Sequence, residues 1–84
     1  MRTIWKHPIR SFEFTLPLSE NWRVVLVETQ GKDACAWIEH YPDEASVSVS
    51  FQVFGTGHSI PFSARWQGSW QDAGFVWHLY QVFA

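Results

Sequence analysis

The densest group of residues able to do chemistry is Val53-Phe54-Gly55-Thr56-Gly57-His58-Ser59-Ile60-Pro61. Glycines at 55 and 57 free the backbone for a tight loop whose N–H groups can converge on an anion. The side chains of Thr56, His58 and Ser59 add donors, so the chemistry suggested is phosphate binding. Trp66, Trp70 and Trp77 follow within 20 residues and offer ring faces on which a base can stack. The stretch lacks the G-x-x-x-x-G-K-[ST] spacing of a P-loop and the third glycine and following helix of a dinucleotide fingerprint. The same residues also suit a plain β-turn or bulge between strands. Gly55, Thr56, Gly57, His58, Ser59, Trp66, Trp70 and Trp77 form the candidate ligand-binding set.

No other constellation points to catalysis or a metal. His7, His40, His58 and His78 show no short ligand spacing and no i, i+2 pair on one strand face, and Cys35 adds little. Ser59 and Ser63 have a histidine nearby in sequence but no G-x-S-x-G elbow and no acid placed to orient a base. The carboxylates are scattered over turns and polar strand positions, so a paired-acid hydrolase is not indicated. No cofactor and no catalytic residue are expected. A small hydrolase using His58 or His78 ranks as a distant alternative.

The elements that must position these residues are strands. No window shows helical periodicity, whereas two-residue alternation recurs. The spacing predicts runs at Thr3–Lys6, closed by Pro8, and at Ser11–Leu16, ended by Pro17, with Leu18–Asn21 as a loop or single helical turn. Trp22–Thr29 is apolar on both faces from Val24 to Val27, as a central strand would be. Gln30–Asp33 reads as a hairpin turn, Ala34–Tyr41 as the returning strand, and Tyr41–Glu44 as a type I turn. Val47, Val49, Phe51 and Val53 alternate with Ser46, Ser48, Ser50 and Gln52, the clearest half-buried strand in the chain. An irregular run at Ala64–Trp70 is broken by Gly68, and Gln71–Gly74 fits a hairpin loop. Phe75–Phe83 is apolar on both faces, which suits a central strand or a subunit contact. The expectation is one mainly antiparallel all-β domain over residues 1–84, a six- to seven-stranded meander curled into a small barrel or two-layer sandwich.

Composition narrows the partners. The 84 residues carry a net charge of −2, so no global positive field would gather long nucleic acid or an anionic membrane. Arg2, Lys6 and Arg10 lie beside His7 in the first ten positions, either a small basic edge or charges guarding an exposed strand. With a single cysteine, no disulfide can form within the chain, and Cys35 reads as a buried, inert thiol. No segment has the pattern of a signal peptide or a membrane span, which points to the cytoplasm. Aromatic residues make up 18% of the chain, more large rings than one small core easily encloses. Some should cluster on the surface, where such clusters mark an interface, so a homo-oligomer is expected. A dense, Trp-rich monomeric core is the alternative.

Three segments carry a resemblance. Met1-Arg2-Thr3-Ile4-Trp5-Lys6-His7-Pro8, Phe54-Gly55-Thr56-Gly57-His58 and Gly74-Phe75-Val76-Trp77-His78-Leu79-Tyr80 are similar to a group of short proteins of unknown function common in tailed bacteriophages and prophages. Gln67–Trp70 departs from the pattern of that group. The resemblance implies a phage origin, expression in the host bacterial cytoplasm and a β-rich fold, with no established activity. Small phage accessory proteins of this kind often antagonise host defence. The functional expectation is therefore a non-enzymatic binding protein that blocks a host defence protein, as an anti-CRISPR inhibitor does, or sequesters a small cyclic or linear nucleotide signal. A structural or assembly protein of the virion is the second reading.

Overall fold

The computed structural model describes residues 1–83. Seven strands form, β1 (Thr3–Ile9), β2 (Glu13–Ser19), β3 (Arg23–Gln30), β4 (Asp33–His40), β5 (Ser46–Gly55), β6 (Arg65–Asp72) and β7 (Phe75–Val82). All pairings are antiparallel and fall into two sheets, a three-stranded one ordered β1-β4-β3 and a four-stranded one ordered β2-β5-β7-β6. The architecture is an open two-layer sandwich, not a closed barrel. Only the β3–β4 and β6–β7 pairs join consecutive strands, so the chain is not a simple meander. It passes from one sheet to the other between β1 and β2, β2 and β3, and β4 and β5.

Strand alternation builds the core. Val49, Phe51 and Val53 of β5 point inward with Leu79 of β7, and Leu18 of β2 joins them. Across the gap, Ala36 and Ile38 of β4 complete the buried cluster, with Val24, Val27, Trp22, Trp70 and Trp77 packed against it. Phe51 is the hub, stacked on Phe14 at 5.2 Å and met edge-on by Trp22 at 5.5 Å. The expected surplus of rings stays outside: Trp5, Phe12, Phe62, Trp66, Phe75 and Phe83 are all exposed.

Three expectations are corrected. Pro8 and Pro17 do not close their strands; both lie inside them, Pro8 in β1 and Pro17 in β2. Each of these is an edge strand, and an edge position tolerates a residue with no N–H to give when that side faces outward. Because β2 runs on to Ser19, no helical turn forms there, and the Trp22 amide simply closes a tight turn onto the Ser19 carbonyl at 3.2 Å. Nor is β3 central. It is the edge of its sheet, and its two-faced apolar run comes from a bulge between Val24 and Leu26 that leaves Val25 and Leu26 exposed. β7, by contrast, is central, between β5 and β6.

The two sheets are fastened at one end by a polar contact across the core. The buried His40 at the end of β4 accepts the Ser19 amide on Nδ1 at 3.2 Å, and Ser19 Oγ accepts the Tyr41 amide at 2.8 Å. The proton of neutral His40 is thereby assigned to Nε2, which is buried with no hydrogen-bond partner beside the ring of Trp5, 3.9 Å away edge to face. Midway along the strands, β3 and β6 touch where a Cβ on Gly68 would lie 2.5 Å from Val27 Cγ2. Only glycine fits there. The bulge between Trp66 and Gly68 brings the bare backbone into that contact.

These features predict measurable effects. Gly68→Ala should cost about 1–3 kcal/mol in urea unfolding through overpacking, and adding Val27→Ala should recover part of the loss. Equal losses in the single and double variants would refute the close contact. Burial lowers the pKa of His40, and burial together with Arg10 lowers that of His7. The fold therefore favours neutral imidazoles. Stability should be fully present above the ordinary value of 6.5 and decline as the pH falls below it towards the depressed folded values. Unfolding midpoints measured from pH 7.5 to pH 5 check this, and His40→Gln should flatten the slope.

Candidate functional site

The strand order gathers the β1–β2 connection, the β3–β4 turn, the end of β5 and the β6–β7 hairpin at one end of the sandwich. The hairpin turns through Ala73 and Gly74, both at positive φ (52° and 83°), the pattern of a type I′ turn. It sets Trp70 opposite Trp77 and Asp72 opposite Phe75. Alternation places these four side chains on the inward face, at the mouth of the gap between the sheets.

A cavity of about 400 Å³ opens there. Val53, Trp70 and Trp77 form its apolar wall, Phe12 flanks it, and Arg10, Lys32, Asp33 and Asp72 line its charged rim. The size falls in the range of small-molecule sites, and an apolar wall with a few polar groups is their usual make-up. Arg10 pairs with Asp33 at 3.2 Å. Trp77 is the centre of an aromatic row, 5.9 Å from Phe12 and 6.1 Å from Phe75, both well exposed. Behind Trp77 lies Gly55, where a Cβ would come 3.2 Å from Trp77 Cζ3 and 3.1 Å from His58 Cε1.

The candidate residues read from the sequence divide into two groups. Gly55, His58 and Trp77 meet, and Trp70 shares the cavity with Trp77. The amides of the Gly55–Ser59 loop are largely engaged within the fold. Gly55 donates to His58 Nδ1 at 3.0 Å, Thr56 to the Val76 carbonyl at 3.3 Å, and His58 to the Gly55 carbonyl at 3.1 Å. Gly57 and Ser59 lie exposed in the turn that follows, away from the cavity lining.

Thr56 and Trp66 belong to the outer face of the four-stranded sheet, where they end a chain of hydrogen bonds through His78. Trp66 Nε1 donates to Ser69 Oγ at 2.9 Å, and Ser69 Oγ lies 2.7 Å from His78 Nδ1. His78 Nε2 lies 3.0 Å from Thr56 Oγ1, which donates to the Val76 carbonyl at 3.1 Å. One proton assignment satisfies all four contacts: Ser69 donates to Nδ1, and the imidazole donates from Nε2 to Thr56. The pairing resembles a nucleophile and base only in part, because the second nitrogen faces a hydroxyl where catalytic dyads place a carboxylate.

Arg10, Phe12, Lys32, Asp72 and Phe75 were not singled out as site residues in the sequence. The one local signal was Trp70-x-Asp72 leading into a hairpin, which puts a ring and a carboxylate on the same strand face. Among the described residues no three His, Cys, Asp or Glu side chains converge as metal ligands, and no helix is long and apolar enough to cross a membrane.

Severing the outer-face chain has a defined outcome. Ser69→Ala should cost about 1 kcal/mol and leave Trp66 without its partner. Trp66 should then become more open to acrylamide quenching, and unchanged quenching would show that Ser69 does not hold the indole. No curated protein and no solved structure matches the chain. A family described only as a domain of unknown function (DUF7352) matches residues 1–84, and the chain belongs to that family.

Proposed function

We propose that this chain is a non-enzymatic binding protein whose ligand site is the cavity at the open end of the sandwich, and that the ligand is a small nucleotide. The observation that carries the reading is the pairing of an aromatic wall, Trp70 and Trp77, with the cations Arg10 and Lys32 on the same rim. An indole face beside a base contributes roughly 1–3 kcal/mol. Lys32, on the β3–β4 turn, is placed as a point charge for phosphate. Arg10 keeps N–H donors beyond the one given to Asp33. The anion site thus moves from the glycine loop to this rim, since three amides of that loop are already engaged. Gly55 and His58 serve by backing Trp77.

In the setting that the phage resemblance implies, a host bacterial cytoplasm, such a protein antagonises defence by sequestering a nucleotide signal. A protein partner is the second reading, and one observation favours it. Phe62 is fully exposed at the tip of the turn closed by the Ala64 amide on the Pro61 carbonyl at 3.0 Å. A host defence protein, a virion component or another copy of the chain are the partners such a ring would engage. Hydrolysis by His78 has the weakest support, given the hydroxyls on both of its nitrogens.

Calorimetry with a panel of linear and cyclic nucleotides tests the first reading. Micromolar binding is expected, with Lys32→Glu weakening it about tenfold through loss of a phosphate contact and gain of a repelling charge. Absence of heat for every nucleotide at high micromolar concentration would overturn it and leave the protein-partner reading in place.

A further inference from the structure

The two carboxylates on the cavity rim are not equivalent. Asp33 is engaged by Arg10 at 3.2 Å, whereas Asp72 takes part in none of the ion pairs among the described residues. The two come from opposite sheets, Asp33 at the start of β4 and Asp72 at the end of β6. Asp72 lies two residues beyond Trp70 on the same strand face and opposite Phe75, so its carboxylate stands next to the aromatic wall. Lys32, which is likewise free of any ion pair among the described residues, stands on the turn of the other sheet. A ligand spanning the mouth meets rings and a free acceptor on one side and a free cation on the other.

An ionised carboxylate only accepts hydrogen bonds. Beside a stacked base it is matched by an edge with two adjacent N–H donors, and of the common bases guanine alone has that pair, at N1 and at the N2 amino group. Adenine and cytosine each set one amino group next to a ring-nitrogen acceptor, and uracil flanks its single N–H with carbonyls. Against a carboxylate those acceptors repel. We infer that the cavity selects guanine nucleotides, with Asp72 reading the N1 and N2 edge, Trp70 and Trp77 walling the base, and Lys32 holding phosphate. The inference rests on the nucleotide reading proposed above and names the ligand class for that site.

Titration calorimetry with the 5′-monophosphates of guanosine, inosine, adenosine, cytidine and uridine tests it. The guanosine ligand should bind about tenfold tighter than the adenosine ligand, the scale of one good two-point base contact. Inosine, which keeps N1–H and lacks the amino group, should fall between them. Asp72→Asn should remove or invert the preference, weakening guanosine monophosphate binding and strengthening adenosine monophosphate binding, because the amide repels no acceptor and matches the adenine edge, with the unfolding midpoint unchanged. Equal affinity for guanosine and adenosine ligands, or an equal loss for both in Asp72→Asn, overturns the guanine assignment and leaves nucleotide binding standing. Failure of every nucleotide to bind overturns the parent reading, and the assignment falls with it.

Discussion

Ser19 gives its amide to His40 across the gap between the sheets, and the hydroxyl of the same serine takes the amide of Tyr41. That contact joins the last residue of β2 to the last residue of β4, so it fixes one end of each sheet against the other. It is made in a nearly dry place, where a hydrogen bond is strong and an unpaired polar group is costly. His40 pays part of that cost through Nε2, which rests beside Trp5 with no acceptor. With this end fastened, and with β3 held against β6 at Gly68, the cavity walled by Trp70 and Trp77 opens at the other end.

The consequence is a division of labour between the ends. The fastened end holds Leu18, Ser19 and His40, all nearly inaccessible to solvent. The open end holds Gly31, Gly74 and Ala73 in left-handed conformations, and the Gly55–His58 turn lies there too. Trp77 belongs to both regions. It packs on the core, backs onto Gly55, and shows its remaining surface to the cavity between Phe12 and Phe75. Such a residue is rigid because of the fold and available because of its position, the combination that a binding site built on strands requires.

The sequence made the strands legible because alternation such as Val47 to Val53 against Ser46 to Gln52 has a single physical reading. The two apolar faces of β7 suit a central strand or a subunit contact alike, and only the strand order, with β7 between β5 and β6, makes it central. Edge and centre were confused for β3, where a bulge shifts the alternation and produces a run that looks buried on both sides. The prolines misled for a related reason. Their missing donor matters only if the neighbouring strand asks for it, and sheet order is not written locally. The cavity was least legible of all. Arg10 in the β1–β2 connection, Lys32 in the β3–β4 turn and Asp72 at the end of β6 are far apart in sequence, and the order β1-β4-β3 against β2-β5-β7-β6 brings them to one rim.

The placement of Pro8 and Pro17 also bears on how copies of this chain behave when crowded. An open sandwich has four strand edges, and unpaired edges recruit further strands into aggregates. Here β1 and β2 each carry a proline, and β3 and β6 lie against one another. A neighbouring molecule approaching edge-on meets proline-bearing strands on one flank and two edges that crowd one another on the other. Backbone-templated growth, the route to fibrils and runaway polymers, is thereby disfavoured. Association is left to side chains, whose contacts are specific and finite in number.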